Sequence, residues 1–258
     1  MRLFCLFLLF MLAAPAWAQP IHQLVRDNKL VEVAELLAAE KASPPEGVEP
    51  LLARRVDGAT PLLVAAFVGN TKMVELLLAN GAGIEEVDLM GDTSLFRAFS
   101  EKHTDLAMLL ISKGADLNKA NKVGETPFMM AASSADAMTF KGVLAGKGEL
   151  EAADSRGRTA LHHAVENDNL QNIPLLLAAG ANVNATDKKG STILHKAVAM
   201  GDTELVVLLL AAGADRQAKD ARGRDASRIA TERQDKSMLR TLDGDPTEKK
   251  PGHKSGKS

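Results

Sequence analysis

Asp154-Ser-Arg-Gly157-Arg-Thr159-Ala-Leu-His162-His-Ala164, followed by Leu175-Leu-Leu177 and Gly180-Ala-Asn-Val-Asn184, decides how the rest of the chain is read. The pattern returns thirty-three residues on, as Asp187, Gly190, Thr192, His195, Ala197, Leu208-Leu-Leu210 and Gly213-Ala-Asp215. At the same interval stand Gly58, Gly91, Gly124, Gly157, Gly190 and Gly223, and also Ala65, Ala98, Ala131, Ala164, Ala197 and Ala230. Threonine keeps phase at Thr60, Thr93, Thr126, Thr159 and Thr192. A fixed period of this length marks a stack of small units that bury their apolar faces only against their neighbours.

Each unit has a mechanical reading. An Asp-x-x-Gly turn opens it, because a tight turn needs a residue that accepts positive φ. The following Thr caps a first helix through its hydroxyl, and Pro61 and Pro127 suit the first helical turn. The in-phase Ala permits close helix approach. The Leu-Leu-Leu run is the buried face of a second helix, and Gly-Ala closes that helix through a left-handed turn.

Thr60-Pro61-Leu62 and Thr159-Ala-Leu-His162, with the Leu-Leu-Leu and Gly-Ala elements, resemble ankyrin repeats over roughly Asp57 to Leu242. The resemblance implies an all-α solenoid of helix-turn-helix units with β-turn tips, capped at both ends. The expected organisation is a signal peptide at 1–18, N-terminal capping helices at 19–40 and a loop at 41–56. About five full repeats and a C-terminal cap follow at 57–242, then a disordered tail at 243–258. The tail holds Pro, Gly, Lys and Ser without hydrophobes. Pro20 to Glu40 reads as two short helices with Leu24, Val33, Leu36 and Leu37 as their apolar stripe.

Composition fits this reading. The chain has 258 residues and is 46% hydrophobic, enough for a sizeable core, yet only 3% aromatic, which suits packing through Leu and Ala. A formal net charge of −2 argues against general nucleic-acid affinity. Arg2, the apolar Leu3 to Ala14 and Ala16-Trp17-Ala18 form a cleavable export signal, so the expected mature chain starts at Gln19 without a membrane span. Cleavage removes the only Cys and the only Trp, and a cysteine-free exported repeat suits the bacterial periplasm, with full secretion as the alternative.

Departures from the pattern fall mid-chain. Gly142, Gly146 and Gly148 stand where Leu, helix and cap residues stand elsewhere, and Pro174 interrupts the fourth second helix. Interior glycine costs a helix about 1 kcal/mol and an interior proline kinks it, so the stretch from Gly142 to Pro174 is expected to be the loosest. The methionines, such as Met73, Met108 and Met138, read as core filler.

No catalytic constellation emerges. His162 and His195 occupy equivalent places in adjacent repeats, and the resemblance implies that each braces its own Thr, too far apart to share a metal ion. Leu63, Phe96 and Met129 take that place earlier. Gly146-Lys-Gly148 lacks the spacing of a phosphate loop. No metal or cofactor is expected, nor any buried pair of titratable groups among the concave-face residues. A divergent repeat-based hydrolase or metal-dependent enzyme is the alternative to a binding module.

The family resemblance implies a monomeric protein-binding module that uses its concave face. Exported bacterial members have been linked to protecting or assembling periplasmic partners, catalase-type enzymes among them, and to neutralising toxic enzymes. In such repeats the residues flanking each turn point away from the stack. Here the early tips are apolar (Val56, Leu89, Met90 and Val123, with Phe67 on the adjoining helix) and the late tips are basic (Arg156, Arg158, Lys188, Lys189, Arg222 and Arg224). That division points to a protein partner with an acidic surface and an apolar anchor.

Overall fold

Thirty-three-residue periodicity becomes helix pairs. The structure, a computed structural model, describes residues 21–44 and 47–244; the expected export signal at 1–18 and the expected tail beyond Gly244 lie outside them. Its contacts divide the chain into two compact units, 1–149 and 150–258. In the first unit the helices are α1 (Ile21–Arg26), α2 (Leu30–Ala42), α3 (Pro61–Val68), α4 (Thr71–Ala79), α5 (Ser94–Ser100), α6 (Thr104–Ser112), α7 (Pro127–Ser134) and α8 (Ala137–Leu144). In the second they are α9 (Ala160–Glu166), α10 (Asn172–Ala178), α11 (Ile193–Met200), α12 (Thr203–Ala211), α13 (Ala226–Glu232) and α14 (Lys236–Asp243). First helices pack on first helices: α1 on α3, α3 on α5 and α5 on α7 in one unit, α9 on α11 and α11 on α13 in the other. Among the described residues there are isolated bridges but no strands.

The in-phase residues explain that stacking. Ala65, Ala98, Ala131, Ala164, Ala197 and Ala230 have no exposed surface at all, so at these points first helices meet without a side chain to hold them apart. Of each leucine triplet only the middle member, Leu77, Leu176 or Leu209, is fully buried, and its neighbours are half-buried. Pro61 and Pro127 sit in the first helical turn. Thr60, Thr93, Thr126 and Thr192 each accept the backbone N–H three residues on, at 3.4, 3.1, 3.2 and 3.4 Å.

The turns are built by one carboxylate or amide oxygen each. Oδ1 of Asp154 accepts the N–H of Arg156 (2.8 Å) and of Arg158 (2.9 Å), and Asp88, Asn121, Asp187 and Asp220 do the same for their own turns. Neighbouring tips then join through main chain: Lys122 N–H donates to the Met90 carbonyl, Lys188 to Arg156 and Ala221 to Lys189, at 2.8–2.9 Å. Gly157 serves both arrangements, since its φ is +79° and a Cβ there would lie 2.9 Å from the Lys188 nitrogen. The first turn differs from the expected Asp-x-x-Gly form. Arg55 stands where the other turns have Asp or Asn, and Asp57 and Gly58 both take positive φ in a two-residue turn.

Several expectations for the irregular middle need correction. Helix α10 starts at Asn172, so Pro174 lies in its first turn, where no intrahelical N–H partner is lost and no kink follows. Gly148 is not a defect either. A Cβ there would fall 2.0 Å from the ring of Phe128, which is fully buried against Phe140 with ring centroids 5.7 Å apart. The left-handed place held by Gly81, Gly114, Gly180 and Gly213 is taken by Lys147, with φ +63°, and by neither flanking glycine. Met73 is buried but Met138 is 78% exposed: Asp136 caps α8 at its start, and the helix turns Phe140 and Val143 inward instead. Two boundaries also move. Helix α2 runs on to Ala42, and Asp243, expected in the tail, closes α14 with Met238 and Leu242 buried beneath it.

Candidate functional site

The first unit gathers apolar tips. Val56, Phe67, Leu89 and Met90 line one groove of about 700 Å³ with Val68, His22, Arg26 and Arg97. Phe67, Leu89 and Met90 are each more than half exposed, and Val56 is 41% exposed. Leu89 lies over Gly58, where a Cβ would meet its Cγ at 2.2 Å. Val123 is exposed on the next tip and does not line this groove. Arg97 closes the base by ion-pairing with Asp88 and with Asp92, at 3.0 Å for the latter. Burial pushes the Asp88 carboxyl up, but the Arg97 guanidinium and the Asp92 and Met90 N–H groups hold it below its ordinary value. Burial dominates at Asp92, whose pKa is raised.

The second unit gathers the basic tips, and the structure sorts them into two sets. Arg158 binds inward: its Nε donates to Asp154 Oδ2 at 2.7 Å and its Nη1 to Glu166 Oε2 at 2.6 Å. Arg224 does likewise with Asp220 at 2.7 Å and Glu232 at 3.3 Å. These two arginines are turn braces, which corrects the expectation that they are free to meet a partner. Arg156, Lys188, Lys189 and Arg222 are exposed and have no ion-pair partner among the described residues. Ser191 stands where Arg158 and Arg224 stand in the adjoining repeats. Lys189, Lys196, Arg222 and Arg224, with Glu166, Asp187 and Asp220, line a polar groove of about 540 Å³. The carboxyl of Asp220 is pushed down to about 2, chiefly by the Arg224 N–H.

Sequence reasoning missed one buried titratable pair. Asp154 Oδ2 lies 3.2 Å from His163 Nε2, and both side chains are almost wholly enclosed. Burial pushes the Asp154 carboxyl up, but the N–H and guanidinium of Arg158 and the N–H of Arg156 together hold it below the ordinary value. Both of its oxygens are engaged in holding the turn, which makes it a structural carboxylate. Nothing periodic marks the pair, since no other repeat has His nine residues after its turn Asp or Asn.

The histidine brace is present at both expected places. His162 and His195 accept the N–H of Thr159 and Thr192 at Nδ1, at 3.2 and 3.1 Å, which leaves the proton on Nε2. His195 donates it to the Arg224 carbonyl at 3.0 Å; His162 Nε2 faces the Ser191 backbone without a well-formed hydrogen bond. Burial lowers the His162 pKa below 6.5. Its contribution to stability is therefore complete above the unfolded value of about 6.5 and is lost as pH falls toward the folded value, by at most ~1.4 kcal/mol per pH unit. Urea midpoints at pH 7.5 and 5.5 should differ more for the parent than for His162→Gln. An equal shift in both would remove His162 as the cause.

Family models of ankyrin repeats match residues 21–121 and 109–187 (three copies) and 176–228 (many copies). No curated protein matches the chain. Among solved structures it is similar to the ankyrin repeat domain of Bcl-3, described as a unique member of the IkappaB protein family. That match has 29% identity and a TM-score of 0.73 over 88% of this chain and 98% of that one. It is also similar to EF0377, an ankyrin repeat protein, with 29% identity and a TM-score of 0.67 over 74% of this chain and 99% of that one. Among the described residues no helix is long and apolar enough to cross a membrane.

Proposed function

Because the chain belongs to the ankyrin-repeat family, and is a protein–protein interaction module on that ground, we propose that it docks an acidic-surfaced protein through its turn tips. The single observation that carries this reading is the sorting of the tip cations. Arg158 and Arg224 are neutralised by carboxylates on both sides, while Arg156, Lys188, Lys189 and Arg222 keep exposed, unpaired charge on the same three turns. Among the described residues no carboxylate pairs with the side chains of that second set, and a row of like charge raises the on-rate of an oppositely charged partner. The apolar groove of Val56, Phe67, Leu89 and Met90 supplies anchoring surface of the kind that holds a docked partner.

The triple reversal Arg156→Glu, Lys189→Glu and Arg222→Glu should leave helical content unchanged. It should weaken binding to a partner recovered by pull-down by about tenfold or more, with a shallower salt dependence. Undiminished affinity would reduce the basic edge to a solvated surface.

In this proposal the protein is a bacterial exported member of its family. It works as a monomer in the periplasm, protecting, assembling or inhibiting its partner. The support is the charged start, apolar run and small-x-small site at residues 1–18. Intact-mass measurement of periplasmic material should give a chain starting at Gln19; a membrane-bound species that retains Met1 would count against export with cleavage.

A further inference from the structure

From the register of the three late tips we infer the shape of the segment they bind: an acidic stretch in polyproline II conformation, with a carboxylate at every third residue. The inference rests on the reading of these tips as a docking edge. Arg156, Lys189 and Arg222 hold one and the same backbone place. Each is second after its turn Asp, and each donates its N–H to that Asp Oδ1, at 2.8, 2.8 and 2.9 Å. Consecutive turns are then tied by Lys188 N–H to the Arg156 carbonyl and by Ala221 N–H to the Lys189 carbonyl, both 2.8 Å. With the same local backbone and the same tie, the three side chains leave the unit in parallel, one per repeat. All three are exposed and without an ion-pair partner among the described residues.

Their interval follows from the helices that carry them. Packed helix axes lie about 8–10 Å apart, so one cation recurs about every 9 Å. A polyproline II segment rises ~3.1 Å per residue with three residues per turn, and so returns a side chain to the same face every ~9.3 Å. A β-strand returns one every ~6.6 Å, which does not fit a single interval and so cannot meet three successive cations. An α-helix comes near the interval only at i, i+7, about 10.5 Å, and needs fifteen residues to meet three cations. The polyproline II segment needs seven. It makes no internal hydrogen bonds, so its carbonyls stay open to Lys188, the fourth unpaired cation of the row.

The test uses the full chain and labelled peptides of matched length and charge, read by fluorescence anisotropy. One carries Glu at every third residue among Pro and Ala. The second has the same composition with its glutamates contiguous, and the third has Gln for every Glu. A helical peptide with Glu at every seventh residue completes the set. The triplet-spaced peptide should bind about tenfold more tightly than the contiguous one, and Lys189→Ala should abolish that difference. Equal affinity of spaced and contiguous peptides, or tighter binding of the helical one, overturns the inference while leaving an acidic partner in place. Failure of every acidic peptide to outdo the Gln peptide overturns the charge reading of the tips as well.

Discussion

Replacing Asp154 with Ala is expected to lower the stability of the second unit by about 3–5 kcal/mol, the range for breaking a buried ion pair from one side. The carboxylate is 1% exposed and satisfies five donors. Oδ1 takes the Arg156 and Arg158 N–H groups, and Oδ2 takes Nε and Nη2 of Arg158, the latter at 2.6 Å, and faces His163. Removing it takes the acceptor from Nε and Nη2 of a guanidinium that is only 15% exposed, leaving Glu166 to hold its other end, and opens the turn that ties Arg156 to Lys188. Asp154→Asn keeps the Oδ1 acceptor and should cost about 2 kcal/mol, the loss of one charge-assisted contact. Asp187→Ala is the internal control. Ser191 offers it no guanidinium, so only two backbone bonds go, at about 1–2 kcal/mol. Urea unfolding followed by circular dichroism ranks the three, and equal costs at 154 and 187 would sink the account. The Asp154 carboxyl is also held below its ordinary value. Its contribution is therefore present above about pH 3.9 and is lost as pH falls through the folded value.

Gly148→Ala should destabilise the first unit by about 3 kcal/mol, at the upper end of overpacking costs. The added methyl would fall 2.0, 2.3 and 2.6 Å from three ring carbons of Phe128, which is fully buried and touches Phe140. The backbone at 148 is not in the left-handed region, so steric overlap is the whole effect. Phe128→Leu should then rescue the variant. In a double-mutant cycle the pair should cost at least 1 kcal/mol less than the sum of the single changes, since the two side chains compete for one space. Strict additivity would show that the glycine is merely tolerated.

Both predictions mark where the sequence was legible. Period-locked residues announce themselves because each is fixed by a backbone need that recurs in every repeat: a Gly at positive φ, a Thr cap, an Ala at a helix crossing. Gly148 and Pro174 looked like faults because each is fixed by a single neighbour or a single boundary. The glycine answers Phe128, twenty residues away, and the proline answers a helix start that the periodic pattern alone set too early. The same limit governs the site. The exposed tips Val56, Leu89 and Met90 were readable from turn position, and the structure brings them to one groove with Phe67 of the adjoining helix. Arg156 and Arg158, two residues apart, could be told apart only by where Glu166 lies, since it is that carboxylate, with Asp154, that ties Arg158 down.

The ties that Lys188 and Ala221 make to the tips before them run from amide to carbonyl and involve no side chain. The fold is therefore indifferent to which side chains stand at 156, 188, 189, 221 and 222, with one exception: proline at any of them would delete a donor, to a neighbouring tip at 188 or 221 and to the turn Asp at 156, 189 or 222. Recognition and architecture are thus written in separate alphabets on the same turns. Such an edge can drift to a new partner one residue at a time, and each intermediate remains a folded protein.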